Sequence, residues 1–303
     1  MAASESRGHA LALVTIAIWG TTFVSTKVLL VEFQPIEILF YRFLIGLLAL
    51  AALRPRRFKL GSWRREALCA AAGLSGVTLY YLFENIALVY TTASNVGVIV
   101  SVAPFFTALL AFFVTRDERL RPGFFVGFAV AMAGIVLISS QGLSGGGWGD
   151  LLAVAAAAVW AVYSTITRKI GSWGYDNIQM TKRTFAWGLL FMVPVLFGSG
   201  FQFGFARFAD PVTVANMAFL GFGASALCFV TWNLAVRILG AVKTSAYIYL
   251  VPVITVAASV IVLHEPLTAP IACGVVLTCA GLLISEWGKG ERKAGGRIRR
   301  RLR

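Results

Sequence analysis

The sequence predicts an all-α membrane protein of ten transmembrane helices, arranged as two inverted five-helix repeats with both termini in the cytoplasm. Three observations lead there. Of 303 residues, 58% are hydrophobic and only 13% charged, with a mean hydropathy of +0.81. Soluble domains run at roughly 45–50% apolar and about 25% charged, so a globule of this composition could not cover its surface. The same numbers exclude disorder, collagen and a disulfide scaffold. The second observation is that the basic residues sort onto one side of the membrane. The third is that the two halves repeat in order.

A helix needs roughly 20 apolar residues to cross the hydrocarbon. Ten such runs follow one another, at 9–31, 35–53, 66–90, 93–115, 122–140, 149–170, 175–199, 211–236, 240–263 and 267–287. They are long and lack strict alternation, which argues against strands. The first is expected to be a retained span: residues 1–10 carry one arginine and one glutamate, and no small-residue cleavage site follows. Pro104 in the fourth run and Pro252 in the ninth would each remove an internal hydrogen bond and loosen the helix for bending. In the fifth, Gly123-x3-Gly127 and Gly127-x3-Ala131 should allow close packing on a neighbour. Ser144-Gly145-Gly146-Gly147 forms the glycine-rich linker near the midpoint. Cys69, Cys228, Cys273 and Cys279 all lie within apolar runs without metal-ligand spacing, so they read as small packing residues.

With the N-terminus placed in the cytoplasm, 22 of the 27 lysines and arginines fall on that side and only Arg207 falls outside. Both termini are therefore expected in the cytoplasm. The net charge of +14 is topology plus a basic tail able to rest on anionic lipid, not a nucleic-acid signature.

The duplication is specific in its order. Trp19, Lys27 and Arg42 stand 141 residues before Trp160, Arg168 and Arg183. Gly73, Asn85, Ala93 and Pro104 stand 148 before Gly221, Asn233, Ala241 and Pro252. Glu118, Leu120, Gly127 and Gly134 stand 147 before Glu265, Leu267, Gly274 and Gly281. The units are 8–140 and 148–287, followed by a basic cytoplasmic tail at 288–303. Five spans per unit is an odd number, so the second unit enters the membrane inverted, the architecture of a secondary carrier.

Ionisable or polar side chains at bilayer depth need a reason. Glu84 is the sharpest case, with Tyr80 one turn before it on the same face and Tyr81 and Asn85 on the adjoining one. Either Tyr80 and Glu84 face a substrate cavity, or Glu84 pairs structurally with a basic residue of another helix. The equivalence of Arg42 and Arg183 favours a structural role, as a buried pair at the repeat interface, over binding of a substrate carboxylate. Lys27 is expected to snorkel, and one of Lys182 and Arg183 to reach the inner surface. Mid-span, Trp19 and Trp160 head polar-aromatic stripes (Trp19, Thr22, Phe23, Thr26 against Trp160, Tyr163, Ser164, Thr167), where an indole N–H needs a partner. Trp232 is the repeat counterpart of Glu84. The candidate substrate-binding set is Trp19, Tyr80, Glu84, Trp160, Tyr163 and Trp232, and the structural or gating set is Arg42, Arg183, Pro104 and Pro252. No catalytic residue and no metal ligand is expected.

The Ile18-Trp19-Gly20 opening, Pro104 followed by Glu118-Arg119-Leu120, and the counterparts Pro252 and His264-Glu265-Pro266-Leu267 resemble the drug/metabolite transporter superfamily, EamA-type, over about residues 8–287. Within it the chain is similar to YddG-type exporters of aromatic amino acids. The resemblance implies a secondary transporter that exports aromatic or other amphipathic amino-acid-like metabolites across the inner membrane by alternating access. It implies a small-molecule substrate, a lipid bilayer as its medium and no cofactor. The alternatives are another small metabolite or drug as substrate, or a passive channel.

Enzyme readings fail on placement. Gly147-Trp148-Gly149-Asp150 with Tyr175-Asp176 matches an intramembrane aspartyl protease pattern, but the two acids belong at opposite membrane faces and must nearly touch to share a proton. His9 and His264 build no zinc or triad site. Without GxxxxGK[ST] there is no expectation of nucleotide hydrolysis.

Overall fold

The computed structural model describes residues 2–55, 60–110, 112–113, 122–140, 146–201, 204, 206–239, 244 and 246–286, among which regular structure is helical with no strand. Glu118-Arg119-Leu120, Ser144-Gly145, Ala241, Lys243 and the tail 288–303 lie outside the described residues. The helices are α1 (Ala2–Leu29), α2 (Pro35–Leu53), α3 (Trp63–Tyr90), α4 (Ala93–Leu110), α5 (Pro122–Ser139), α6 (Gly146–Gly171), α7 (Asn177–Gly198), α8 (211–239), α9 (Tyr247–Val262) and α10 (Ala269–Glu286). Seven of them, α1 to α6 and α8, are long and apolar enough to cross a bilayer, while α9 and α10 are apolar but shorter. α7 has 22 residues and carries Gln179, Lys182 and Arg183 in its first turns.

Local chemistry sets the starts. Thr92 caps α4 by accepting from the Asn95 N–H, and Asp176 caps α7 by accepting from the Gln179 N–H at 3.0 Å. Asp210 precedes Pro211 and accepts from the N–H groups of Val212 and Thr213, which hold its carboxyl below the ordinary carboxylate value. Asp176 is thus a helix cap, with Arg54 3.8 Å away. Most of α6, from Asp150 to Gly171 at roughly 1.5 Å per residue, separates it from Asp150.

Contacts across the bundle show the helices running up and down. Near the N-terminus of the bundle, His9 meets Tyr247, Lys182 donates to the Arg54 carbonyl and Glu66 binds Arg183. At the far end, Asn85 donates to the Pro35 carbonyl, Glu37 binds Arg207, and Glu265 accepts from the N–H groups of Ala93 and Ser94.

The packing repeats when the halves are exchanged. α5 and α10 cross antiparallel with their backbones in contact: a Cβ on Gly127 would lie 2.4 Å from the Gly281 carbonyl oxygen, and one on Gly134 2.6 Å from that of Gly274. Gly127 and Gly274 are repeat equivalents, as are Gly134 and Gly281, so the crossing maps onto itself. The expected close packing of the Gly127 stripe is met, and its neighbour is α10. Likewise Gly73 of α3 lies against Thr184 and Gly188 of α7, while its equivalent Gly221 of α8 lies against Ile45 of α2. Wide π-helical turns interrupt both α3 (Leu74–Leu79) and α8 (Phe219–Leu227), again at equivalent places. Exposed apolar side chains such as Phe125, Val136, Val276 and Leu283 cover the outside of the α5–α10 pair.

The prolines sit differently from the sequence expectation. α4 breaks at Ser101-Val102, where the bonds close back only three residues (Ser101 N to Val98 O, Val102 N to Ile99 O), and Pro104 is the second residue of the new segment Ala103–Leu110. Pro252 is the second residue of Val251–Val262, behind the 3-10 turn Ala246–Leu250. Neither removes an interior bond, because the first N–H groups of a helical segment have no partner within it. The break lies before each proline.

Candidate functional site

The structure links the aromatic residues expected at the site, together with four that were not, in one unbroken chain of rings between the halves. Trp232 packs on Trp19 (centroids 5.4 Å), Trp19 on Phe229 (6.0 Å), Phe229 on Phe185 (5.2 Å) and Phe185 on Phe43 (4.8 Å). Phe43 continues to Tyr81 (5.0 Å), Tyr81 to Tyr80 (4.6 Å), Tyr80 to Trp160 (4.7 Å) and Trp160 to Tyr163 (5.0 Å). The pseudo-symmetry is visible in it. Trp19 of α1 meets Phe229 and Trp232 of α8, and its equivalent Trp160 of α6 meets Tyr80 of α3. The counterparts of Phe229 and Trp232 in α3 are Tyr81 and Glu84. Trp19 satisfies its indole N–H on the Ala224 carbonyl at 3.1 Å, inside the π-helical turn of α8. Tyr163 lies against the π-helical turn of α3, where only glycine fits: a Cβ on Gly76 would stand 2.1 Å from its ring.

Two charged side chains are sealed beside these rings. Arg42 is fully buried and Glu84 is 1% exposed. Arg42 donates its Nε to the Ser225 hydroxyl at 3.3 Å and lays its guanidinium over the Tyr81 ring, 4.5 Å from the centroid. Its Nη1 and Nη2 have no hydrogen-bond partner, nor does Oε1 of Glu84. The Tyr80 hydroxyl is turned to Glu84. Among the described residues no group of acids, histidines or cysteines could hold a metal ion.

The expected pairing of Arg42 with Arg183 at the repeat interface is not what the structure shows. Arg183 is about a third exposed and binds Glu66, whose other donor is the Trp187 indole, so it ties α7 to the start of α3. The symmetry of sequence was broken by Glu66, an acid with no signal in the hydrophobic pattern. The Lys27 ammonium donates to the carbonyls of Leu88 and Thr91, closing the C-terminus of α3. Sequence reasoning also missed Phe43, Phe185 and Phe229, three of 23 phenylalanines without distinguishing context. Ser225 carried no signal beyond being a small polar residue in an apolar run.

With that geometry in hand, the comparisons decide the family. The model of the EamA-like transporter family matches residues 6–140 and again 147–287. The chain belongs to the EamA-like transporter family. An uncharacterized transporter of Archaeoglobus fulgidus is 31% identical over 93% of this chain and 98% of its own length. A probable terminal-alkyne amino-acid exporter of Streptantibioticus cattleyicolor is 28% identical over 93% and 94%. A probable amino-acid metabolite efflux pump of Escherichia coli is 27% identical over 94% and 96%. One crystal structure, 20% identical, superposes with a TM-score of 0.63 over 92% of this chain and 98% of that one, a likeness of fold. This EamA-like chain is accordingly a multi-pass membrane transporter of small molecules and not an enzyme.

Proposed function

We propose that this transporter exports aromatic or other amphipathic amino-acid-like metabolites across the cytoplasmic membrane by alternating access. In this reading all ten helices span, the units 8–140 and 148–287 are inverted repeats, and both termini are cytoplasmic. Trp19, Tyr80, Glu84, Trp160, Tyr163 and Trp232 wall the substrate path, and the helix breaks ahead of Pro104 and Pro252 let α4 and α9 bend. The observation that carries the reading is the chain of rings itself. It runs between the repeats, where a rocking motion opens and closes, and Arg42 and Glu84 lie sealed beside its middle, at Tyr81 and Tyr80, matching a solute with an apolar body and a polar head. The α5–α10 crossing, which maps onto itself when the halves are exchanged, supports the inverted arrangement. Relatives named as amino-acid exporters and efflux pumps support the solute class. Clustered arginines and lysines, which phosphate-rich solutes require, are absent among these side chains.

The test is uptake of labelled phenylalanine, tryptophan and a non-aromatic amino acid into proteoliposomes holding wild type or Trp160→Ala, the variant checked for folding. The expected result is aromatic-selective flux that the substitution cuts at least about tenfold, the scale of losing one aromatic anchor. Flux without aromatic preference, or unaltered by the substitution, contradicts the assignment.

A further inference from the structure

We infer that Arg42 is a substrate-reading residue: its two free guanidinium nitrogens take the carboxylate of the solute, while the free oxygen of Glu84 takes its ammonium group. The inference rests on the transport reading above and narrows it to solutes that carry both charges, the α-amino-acid head.

A structural arginine inside a membrane protein is expected to spend its donors on fixed acceptors, since an uncompensated buried charge is strongly destabilising. Arg42 spends one. Ser225, on the second repeat, holds Nε, and the Tyr81 ring supports the guanidinium plane. Nη1 and Nη2 remain without partners at zero exposure. These two nitrogens form the fork that matches a carboxylate bidentately. Glu84 is the obvious internal mate, yet its Oε1 is also unpartnered. An arginine and a glutamate lie sealed beside the same pair of rings, Tyr80 and Tyr81, and their free atoms are not joined to each other. A zwitterionic head inserted there supplies an acceptor pair to Arg42 and a donor to Glu84 in one molecule. The rings running on to Trp160 and Tyr163 receive its apolar body. Arg183, the sequence equivalent, is satisfied by Glu66, so only the first repeat carries this reader.

The test uses three probes of one shape in proteoliposomes: phenylalanine, phenethylamine (no carboxylate) and 3-phenylpropanoate (no ammonium), each competing with labelled phenylalanine. Wild type should prefer phenylalanine to either analogue by at least about tenfold, because a site built to pair a group rejects the analogue lacking it. Arg42→Met should abolish the preference over phenethylamine and keep that over 3-phenylpropanoate, and Glu84→Gln should do the reverse. Arg42→Lys guards against misfolding of the methionine variant. It keeps the charge and loses the fork, and should reduce the preference over phenethylamine several-fold at unchanged thermal stability. A folded Arg42 variant with the wild-type preference overturns the inference while phenylalanine flux leaves the transport reading standing. Wild-type vesicles, shown to be sealed, that move none of the probes overturn both.

Discussion

Single side chains fix the ends of helices here as firmly as they mark the site. Lys27 closes α3 by donating to the Leu88 and Thr91 carbonyls. Lys27→Met leaves two buried acceptors bare, at about 1–3 kcal/mol for each group left unsatisfied. Its melting temperature in detergent should fall by several degrees, and an unchanged value would show that the contact carries no weight. Gly76 matters for the opposite reason, because it leaves room for the Tyr163 ring. In Gly76→Ala that ring must move away from its seat, so the KM for an aromatic substrate should rise several-fold and the melting temperature should fall, on the scale of overpacking at about 1–3 kcal/mol. A wild-type KM would remove Tyr163 from the path. Legibility at this scale followed rarity. A tryptophan or a glutamate in an apolar run stands out, so Trp19, Trp160, Trp232 and Glu84 could be singled out as candidates. Phe43, Phe185 and Phe229 were not, since a core phenylalanine and a lipid-facing one look alike until neighbours are placed. Arg42 was visible as an anomaly, but its partners were not, because Ser225 and Tyr81 come from other helices.

At the scale of elements, glycine spacing determines which helices touch. α5 and α10 meet backbone to backbone through Gly127, Gly134, Gly274 and Gly281. Gly134→Leu should cost at least about 1–3 kcal/mol from overpacking, read as a lower melting temperature. Gly198→Ala, where a Cβ meets nothing within 4 Å, should leave it unaltered. Equal behaviour of the two variants would contradict the crossing. The apolar runs gave the helices nearly in full because bilayer thickness sets their length. They gave none of the interruptions. The π-helical turns of α3 and α8 and the breaks before Pro104 and Pro252 depend on tertiary contacts, such as Tyr163 against Gly76, and a 3.6-residue pattern contains no trace of them. The expectation that the prolines loosen helix interiors failed for the same reason: the chain breaks just ahead of each proline.

For the whole molecule, ion pairs tie the repeats together at both ends of the bundle. Glu37 of α2 binds Arg207 at 2.7 and 3.2 Å near the far end, and Glu66 of α3 binds Arg183 near the other. In the alternating-access reading proposed above, these ties are released in turn. Glu37→Gln should raise the reactivity of a single cysteine at Phe33 towards a membrane-impermeant thiol reagent, and Glu66→Gln should lower it, by shifting the population towards opening at the opposite end. Shifts in the same direction for both variants would argue against rocking. The duplication itself was legible from the sequence, because equivalent residues recur in order over both halves, and the family model matches each half in turn. The ties themselves were not legible, since Glu66 and Arg207 lie at span ends where charge is unremarkable.

The most direct test of the account is counterflow. Proteoliposomes preloaded with unlabelled phenylalanine and diluted into a trace of labelled phenylalanine should show transient accumulation of label above its equilibrium level, because a carrier returns its site faster when loaded. Label that rises monotonically to equilibrium, at a rate indifferent to the preload, would identify a pore and contradict alternating access.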